Sequence, residues 1–474
     1  MPHLHLPVIQ PSQFGEGSLG TDGRRKRPYP ADVTGRWLTA RRIVYAALIA
    51  LWAALPWIPV GGHPAVFLDV DKRQFFLFGL TFNAQDVWLL FFLVSGVGFG
   101  LVYATAVLGR VWCGWACPQT VFLEALFRPI ERLFNGPRNV ALRRVSRGGG
   151  SFDRVWRAGA THAVYVVAAA LVAHVLLAYF VSIPRVFEMV RTSPGAHPEA
   201  FAWMIGVTGV MYGNFAFFRE QVCVVVCPYG RLQSVLLDDD SLVVGYDERR
   251  GEPRGKAKTE GAGDCVDCNR CVVVCPTGID IRDGLQLDCI ACTACIDACD
   301  EVMDKLGRDR GLIRYDSQRG LRGMPGEKRR ILRPRLYAYT VLLVIGAVVA
   351  TVAFHGREPF EANIVRLPGM PYTREGGVIR NAFELRLVNK QGSAASFDID
   401  AVDAPGLAFV ISIPKVELEP LGSRRIPFFV TMDQAAFRAD QPFVVRVREH
   451  VTGGSPPGVT VDHDARAVFL GAKQ

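Results

Sequence analysis

The chain carries twelve cysteines, and their spacing is that of metal ligands. Eight fall in one short stretch, as Cys265-x2-Cys268-x2-Cys271-x3-Cys275-Pro276 and then Cys289-x2-Cys292-x2-Cys295-x3-Cys299. Three thiolates spaced in this way wrap one iron–sulfur cube within a short turn of chain, and the fourth cysteine of each run ligates the other cube. Cys265, Cys268, Cys271 and Cys299 are therefore expected to hold one [4Fe–4S] cluster. Cys289, Cys292, Cys295 and Cys275 are expected to hold a second. Paired zinc sites use similar Cys-x2-Cys units, but two full ferredoxin-spaced quartets favour cubanes. The second run departs slightly, with Asp300 where the first has a proline.

The other four cysteines form a repeat, Cys113-Gly-Trp-Ala-Cys117-Pro118 and Cys223-Val-Val-Val-Cys227-Pro228. Positions i and i+4 share a helix face, so each pair brings two sulfurs towards one ion. The proline then ends or bends the element. Three chemistries fit. The thiolates are soft ligands suited to Cu(I), or redox-active dithiols, or together the ligands of a third cluster. The third has local support, because Cys-Val-Val-Val-Cys-Pro recurs identically at 271–276. The plain alternative is four buried, inert cysteines. Arg110, Arg219 and Arg231 flank these motifs and are placed either to lower thiol pKa or simply to snorkel at the interface. Trp112, Trp115 and Tyr229 fit an interfacial aromatic belt. His162 and His174 lie twelve residues apart, about 120° around a helix. Haem ligation is one reading, and packed or hydrogen-bonded histidines are the simpler one.

Long apolar runs must position these motifs. Half of the 474 residues are hydrophobic. The apolar runs give five spans near 42–61, 86–108, 160–182, 200–218 and 336–354, each close to the roughly 20 residues a bilayer requires. The fourth, with Asn214 and several glycines, also fits a buried or re-entrant helix. Each C-x3-C-P closes a two-span hairpin, so the two hairpins present their cysteines at the same membrane face. Repeats of this kind often build a shared site. The net charge of +9 gathers beside the spans, as at Arg24, Arg25, Lys26, Arg27 and again at Lys328, Arg329, Arg330. The positive-inside rule accounts for such clusters, so no nucleic-acid partner is expected. By that rule the N-terminus and all twelve cysteines face the cytoplasm, and the C-terminus lies outside. A reducing compartment suits thiolate ligands. No cleavable signal peptide is evident.

Beyond the spans the composition changes. Asp238–Asp240 and the stretch from Arg249 to Gly263 read as an exposed connection. From about residue 360, Val378–Val388, Ser396–Ile399, Ala408–Ile411 and Phe443–Val447 alternate or are β-branched, between Gly/Pro turns. They predict a β-sandwich without a disulfide. The expected organisation is an arm (1–36), a four-span membrane domain (37–235), a linker (236–263) and a two-cluster ferredoxin-like α+β domain (264–305). A basic connector (306–335), a fifth span (336–354) and an all-β outer domain (356–474) follow.

These motifs together carry a resemblance. Arg-Val-Trp-Cys-Gly-Trp-Ala-Cys-Pro-Gln-Thr (110–120), Arg-Glu-Gln-Val-Cys-x3-Cys-Pro-Tyr-Gly-Arg-x-Gln (219–233), Gly-Tyr-Asp-x2-Arg-Gly-Glu-Pro-Arg-Gly (245–255) and the double ferredoxin run resemble the CcoG/FixG/RdxA family. The likeness runs from about residue 35 to the end. It implies a multi-pass protein of the bacterial inner membrane with an immunoglobulin-like periplasmic domain. It also implies a cupric reductase, turning Cu(II) into Cu(I) while the cbb-type cytochrome c oxidase is assembled, with oxidase subunits or maturation factors as partners. An assembly scaffold with sensory clusters, or an electron relay in another respiratory chain, are the competing functions. No G-x-G-x-x-G follows a predicted strand, so a quinol, a flavin or a soluble protein all remain open as electron donor.

Overall fold

A computed structural model describes residues 28–83, 86–146, 152–257, 259–323, 330–402, 404–450 and 461–471. Arg24, Arg25, Lys26, Arg27, Lys328 and Arg329 lie outside the described residues. Five helices are long and apolar enough to cross a membrane: Arg36–Trp57, Trp88–Leu108, Phe152–Val181, Pro198–Phe218 and Pro334–His355. The fourth runs as a full-length helix whose last turn, Asn214–Phe218, widens to a π-helix. The third span is the hub of the helical region. Its Ala168, Ala169, Ala173 and Ala178 are buried, and small residues of this kind let neighbouring backbones approach closely.

The chain divides into two compact units. One comprises Met1–Ile58 and Phe91–Val348, the other Pro59–Leu90 and Val349–Gln474. In the first, the cysteine-rich segment is clasped by an antiparallel pair of strands, Leu242–Tyr246 and Ile313–Ser317. Much of 249–263 is exposed, as expected of a connection, but the stretch before it is not. Val243, Val244 and Tyr246 are buried, and Asp240 is buried under Arg319, 2.9 Å away. The acidic run that looks like a solvated linker is an anchor for arginines, with Arg333 bonded to Asp238. Burial needs that pairing, because an unpaired carboxylate would be costly to desolvate.

In the second unit the C-terminal region is a two-sheet sandwich. One sheet runs Ala408–Ile411, Ser423–Asp433, Val378–Asn389, Phe360–Arg366, with Thr373–Glu375 paired to Val378–Asn389. The other runs Lys415–Leu418, Ala395–Ala401, Gln441–His450, Val461–Phe469. Alternate residues face inward, and Phe360, Phe383, Phe397, Phe428 and Phe443 fill the core. Rings at 5.0–5.5 Å between Phe360 and Phe397, Phe383 and Phe443, and Phe383 and Phe428 do the work of the missing disulfide. The segment between the first two spans adds a three-stranded sheet, Val66–Asp69, Gln74–Leu77 and Leu80–Phe82, which the sequence reading did not foresee. Buried Asp86 ties this segment to the sandwich through Arg357 at 2.6 Å and Lys390 at 3.4 Å.

Candidate metal centre

The two ferredoxin runs fold into matching loops. The residues on either side of each middle cysteine are left-handed: Asp267 (φ 52°) and Asn269 (φ 54°) about Cys268, Ala291 (φ 53°) and Thr293 (φ 65°) about Cys292. None is glycine, and such backbone is rare for other residues. Its recurrence at equivalent positions curls both loops so that their sulfurs face inward. Cys265, Cys268, Cys271 and Cys299 come together as one group, and Cys275, Cys289, Cys292 and Cys295 as a second. A small cavity is lined by all four sulfurs of the second group. Burial first, and neighbouring thiols next, push Cys289 and Cys299 up to about 12. Burial likewise holds Cys271 at about 12 against the opposing pull of Arg282. Cys271 also lies within electrostatic reach of Cys295, so the two groups adjoin.

The remaining four cysteines form a third group where the hairpins end. Cys113, Cys117, Cys223 and Cys227 all interact with one another electrostatically. The two repeats share one backbone pattern. The N–H of Cys117 donates to the carbonyl of Trp112 at 2.8 Å, and that of Cys227 to Val222 at 2.7 Å. Each second cysteine is then extended and caps a helix that opens with proline, Pro118–Phe122 and Pro228–Leu236. Neither pair rides on one continuous helix face, because this turn intervenes. The hairpins are braced by a reciprocal amide pair, Gln119 to Asn214 at 3.0 Å and Asn214 to Gln119 at 2.7 Å. The thiol of Cys113 donates to Gln233 Oε1 at 3.0 Å.

This third group sits directly on the second ferredoxin loop. Cys113 and Cys223 pack against a cluster that contains Ile290 and Cys292. A Cβ on Gly114 would lie 2.6 Å from the Ile290 carbonyl oxygen and 2.8 Å from that of Ala291, so only glycine permits this approach. Buried Arg110 donates to Cys289 O at 3.1 Å and to Gly230 O at 2.7 Å, joining both hairpins to the loop. Arg41 of the first span donates to Cys292 O, and Tyr45 to Gly114 O.

The donor sets suit polynuclear or soft-metal centres. All twelve cysteines are free of disulfides. Burial pushes Cys113 up to about 11 and Cys223 up to about 12, outweighing Arg110 and Thr120, which pull them down. Such thiols are neutral when empty, and a bound metal supplies the positive charge that ionises them. Among the described residues no three His, Cys, Asp or Glu side chains converge as ligands of a single ion. The same holds at the four hairpin thiols, which would have to draw together around an ion.

Comparison with known proteins follows the same lines. Residues 218–318 match the 4Fe-4S dicluster domain, 88–137 a 4Fe-4S binding domain, and 350–471 the Ig-like fold at the C-terminus of FixG. Protein RdxA of Cereibacter sphaeroides is 36% identical over 80% of this chain and 83% of its own length. Protein RdxB of the same organism is 34% identical over 87% and 89%. The nitrogen fixation protein FixG of Rhizobium meliloti is 35% identical over 77% of each. The chain belongs to the FixG/RdxA family. It is an iron–sulfur electron-transfer protein of the membrane.

Within this FixG/RdxA protein the flanking residues divide. Arg110 pulls the Cys113 pKa down, one of its two sequence readings, and also docks the loop. Arg219 does not serve the thiols. It is buried against Glu131 at 2.8 Å, because a buried guanidinium needs a carboxylate. Arg231 is exposed. Trp115 bonds Tyr315 at 3.1 Å and packs edge-on to Trp37. Tyr229 bonds Thr105 at 2.7 Å. His162 is packed, bonded to Tyr212 at 3.0 Å and stacked on Phe217. Gly114, Gln119, Gln233 and Tyr315 escaped the sequence reading. The two glutamines follow the cysteines of the repeat, at Cys117+2 and Cys227+6, and could have been found there.

Two outcomes are expected. Gly114→Ala forces the hairpin away from the loop and costs about 1–3 kcal/mol of stability, measured by denaturation of the detergent-purified protein; unchanged stability would refute the close approach. In metal-free protein, Cys113 and Cys223 alkylate at pH 8 on the order of 10²-fold or more slower than an ordinary thiol. Because their pKa values are raised, the rate climbs about tenfold per pH unit towards pH 11. Rapid alkylation at pH 8 would contradict buried neutral thiols.

Proposed function

We propose that this protein is a cupric reductase, passing electrons through two [4Fe–4S] clusters to copper held at the four hairpin thiols. One observation carries the reading: Cys113, Cys117, Cys223 and Cys227 gather on the second ferredoxin loop. An electron path from the first quartet through the second therefore ends on a soft sulfur site. The clusters, when bound, supply one-electron storage over a wide range of potential. The chain's own residues do the rest. Four sulfurs favour Cu(I) over Cu(II), so the site that binds the ion also favours its gain of one electron. Gln233 and Thr120 orient Cys113 and Cys223, and Arg110 keeps the second loop in contact. The basic flanks of the spans support a cytoplasmic side for this site and an outer side for the sandwich. The family relation supports a role in maturing the copper centre of a cbb-type oxidase.

A second reading is favoured by a specific finding. The 4Fe-4S binding domain match over 88–137 includes Cys113 and Cys117, so the four thiols also suit a third cluster. Iron and copper counts separate the two. With anaerobic purification, eight irons and bound Cu(I) are expected in the wild type. Cys113→Ser/Cys223→Ser should keep eight irons but lose copper and at least 90% of the Cu(II) reduction rate. Twelve irons falling to eight in the variant would establish the third cluster instead. An unchanged reduction rate would sink the copper site.

A further inference from the structure

A second site lies along the membrane helices, away from the cysteines. A cavity of about 560 Å³ runs between the third and fourth spans and is closed at one end by the helix Ile183–Arg191. Its volume falls in the range of small-molecule sites, roughly 300–1,000 Å³. Its walls are apolar, from Val166 and Leu177 on one span to Met204 and Ile205 on the other. Glycine at 209 leaves open space where a Cβ would project.

Polar groups interrupt this slot, His174 on the third span and Thr208 and Tyr212 on the fourth. His174 lines it about 10 Å in from the end of the third span, seven residues at about 1.5 Å each. An ionisable residue inside a span marks function more often than packing. The Nδ1 of His174 lies 2.7 Å from the carbonyl of Ala170. A carbonyl only accepts, so Nδ1 carries the proton and Nε2 is left as an acceptor. An acceptor in an apolar slot calls for a ligand with a hydroxyl donor on an apolar body. A lipid acyl chain offers no such donor.

We infer that this slot binds a hydroquinone with an apolar tail, whose hydroxyl donates to His174 Nε2, and that it is the protein's electron donor. The inference rests on the reading above that the chain passes electrons. The inner end of the slot leads towards the cysteines and lies about 18 Å along the third span from His174, twelve residues at about 1.5 Å each. Tyr212 closes it, held by His162 at 3.0 Å. Two residues on, Asn214 pairs with Gln119, itself two residues from Cys117. On oxidation the hydroquinone gives up two electrons and two protons and leaves as the quinone. The electrons pass one each to two oxidised [4Fe–4S] clusters. One proton goes to His174 Nε2, and the other leaves by the far end, where Ser193 and His197 line the slot.

The test uses the full chain in nanodiscs, with clusters loaded. Decylubiquinol should bleach the cluster absorption, and the fluorescent inhibitor heptyl-hydroxyquinoline N-oxide should bind with quenching. His174→Leu should weaken both at least tenfold. Gly209→Leu, whose Cβ meets nothing within 4 Å and whose side chain projects into the slot, should do the same. Equal bleaching and equal quenching in both variants and the wild type would overturn the proposal. So would native mass spectrometry showing a phospholipid in the slot that decylubiquinol does not displace. Failure of dithionite-reduced protein to reduce Cu(II) would instead overturn the cupric-reductase reading and leave the quinol result standing.

Discussion

The contact on which the rest depends is the seating of one membrane hairpin against one ferredoxin loop, backbone to backbone, at Gly114. The missing side chain lets the hairpin reach the carbonyls of Ile290 and Ala291. Arg110 and Arg41 then bond the carbonyls of Cys289 and Cys292. These are the peptide groups of two cysteines of the second sulfur group. A shift in the hairpin would therefore be felt both at the membrane thiols and at the cluster loop. Two groups of sulfurs with separate covalent origins become neighbours through this one surface.

The buried arginines show how the arrangement is stabilised. Arg110 spends its donors on carbonyls, and Arg219 its charge on Glu131. Removing either would leave acceptors or a carboxylate buried without partners, a larger loss than the bonds themselves contribute. The thiols are the converse case. Burial raises the pKa of Cys113 and Cys223, which favours their neutral form.

Much of this was legible in the sequence, for identifiable reasons. Cluster loops are local, so Cys-x2-Cys-x2-Cys spacing reports them directly. Spans announce themselves by length and hydropathy, and the alternation of Val378–Asn389 reports a half-buried strand. What failed to show were features set by distant partners. Asp238 and Asp240 look solvated until Arg333 and Arg319 arrive from 95 and 79 residues on. Arg219 looks like a thiol activator until Glu131 claims it. The left-handed residues around Cys268 and Cys292 carry no glycine to betray them. The strands between the first two spans are too short for periodicity to register.

The central claim is that electrons leave the second cluster for metal bound at the hairpin thiols. It is tested most directly by mixing the dithionite-reduced, desalted protein with Cu(II) in a stopped-flow instrument and following cluster oxidation and Cu(I) formation together. The account predicts that both rise in step in the wild type and slow together in Cys117→Ser/Cys227→Ser. Cu(I) formed without cluster oxidation, or cluster oxidation as fast in the variant as in the wild type, would contradict it.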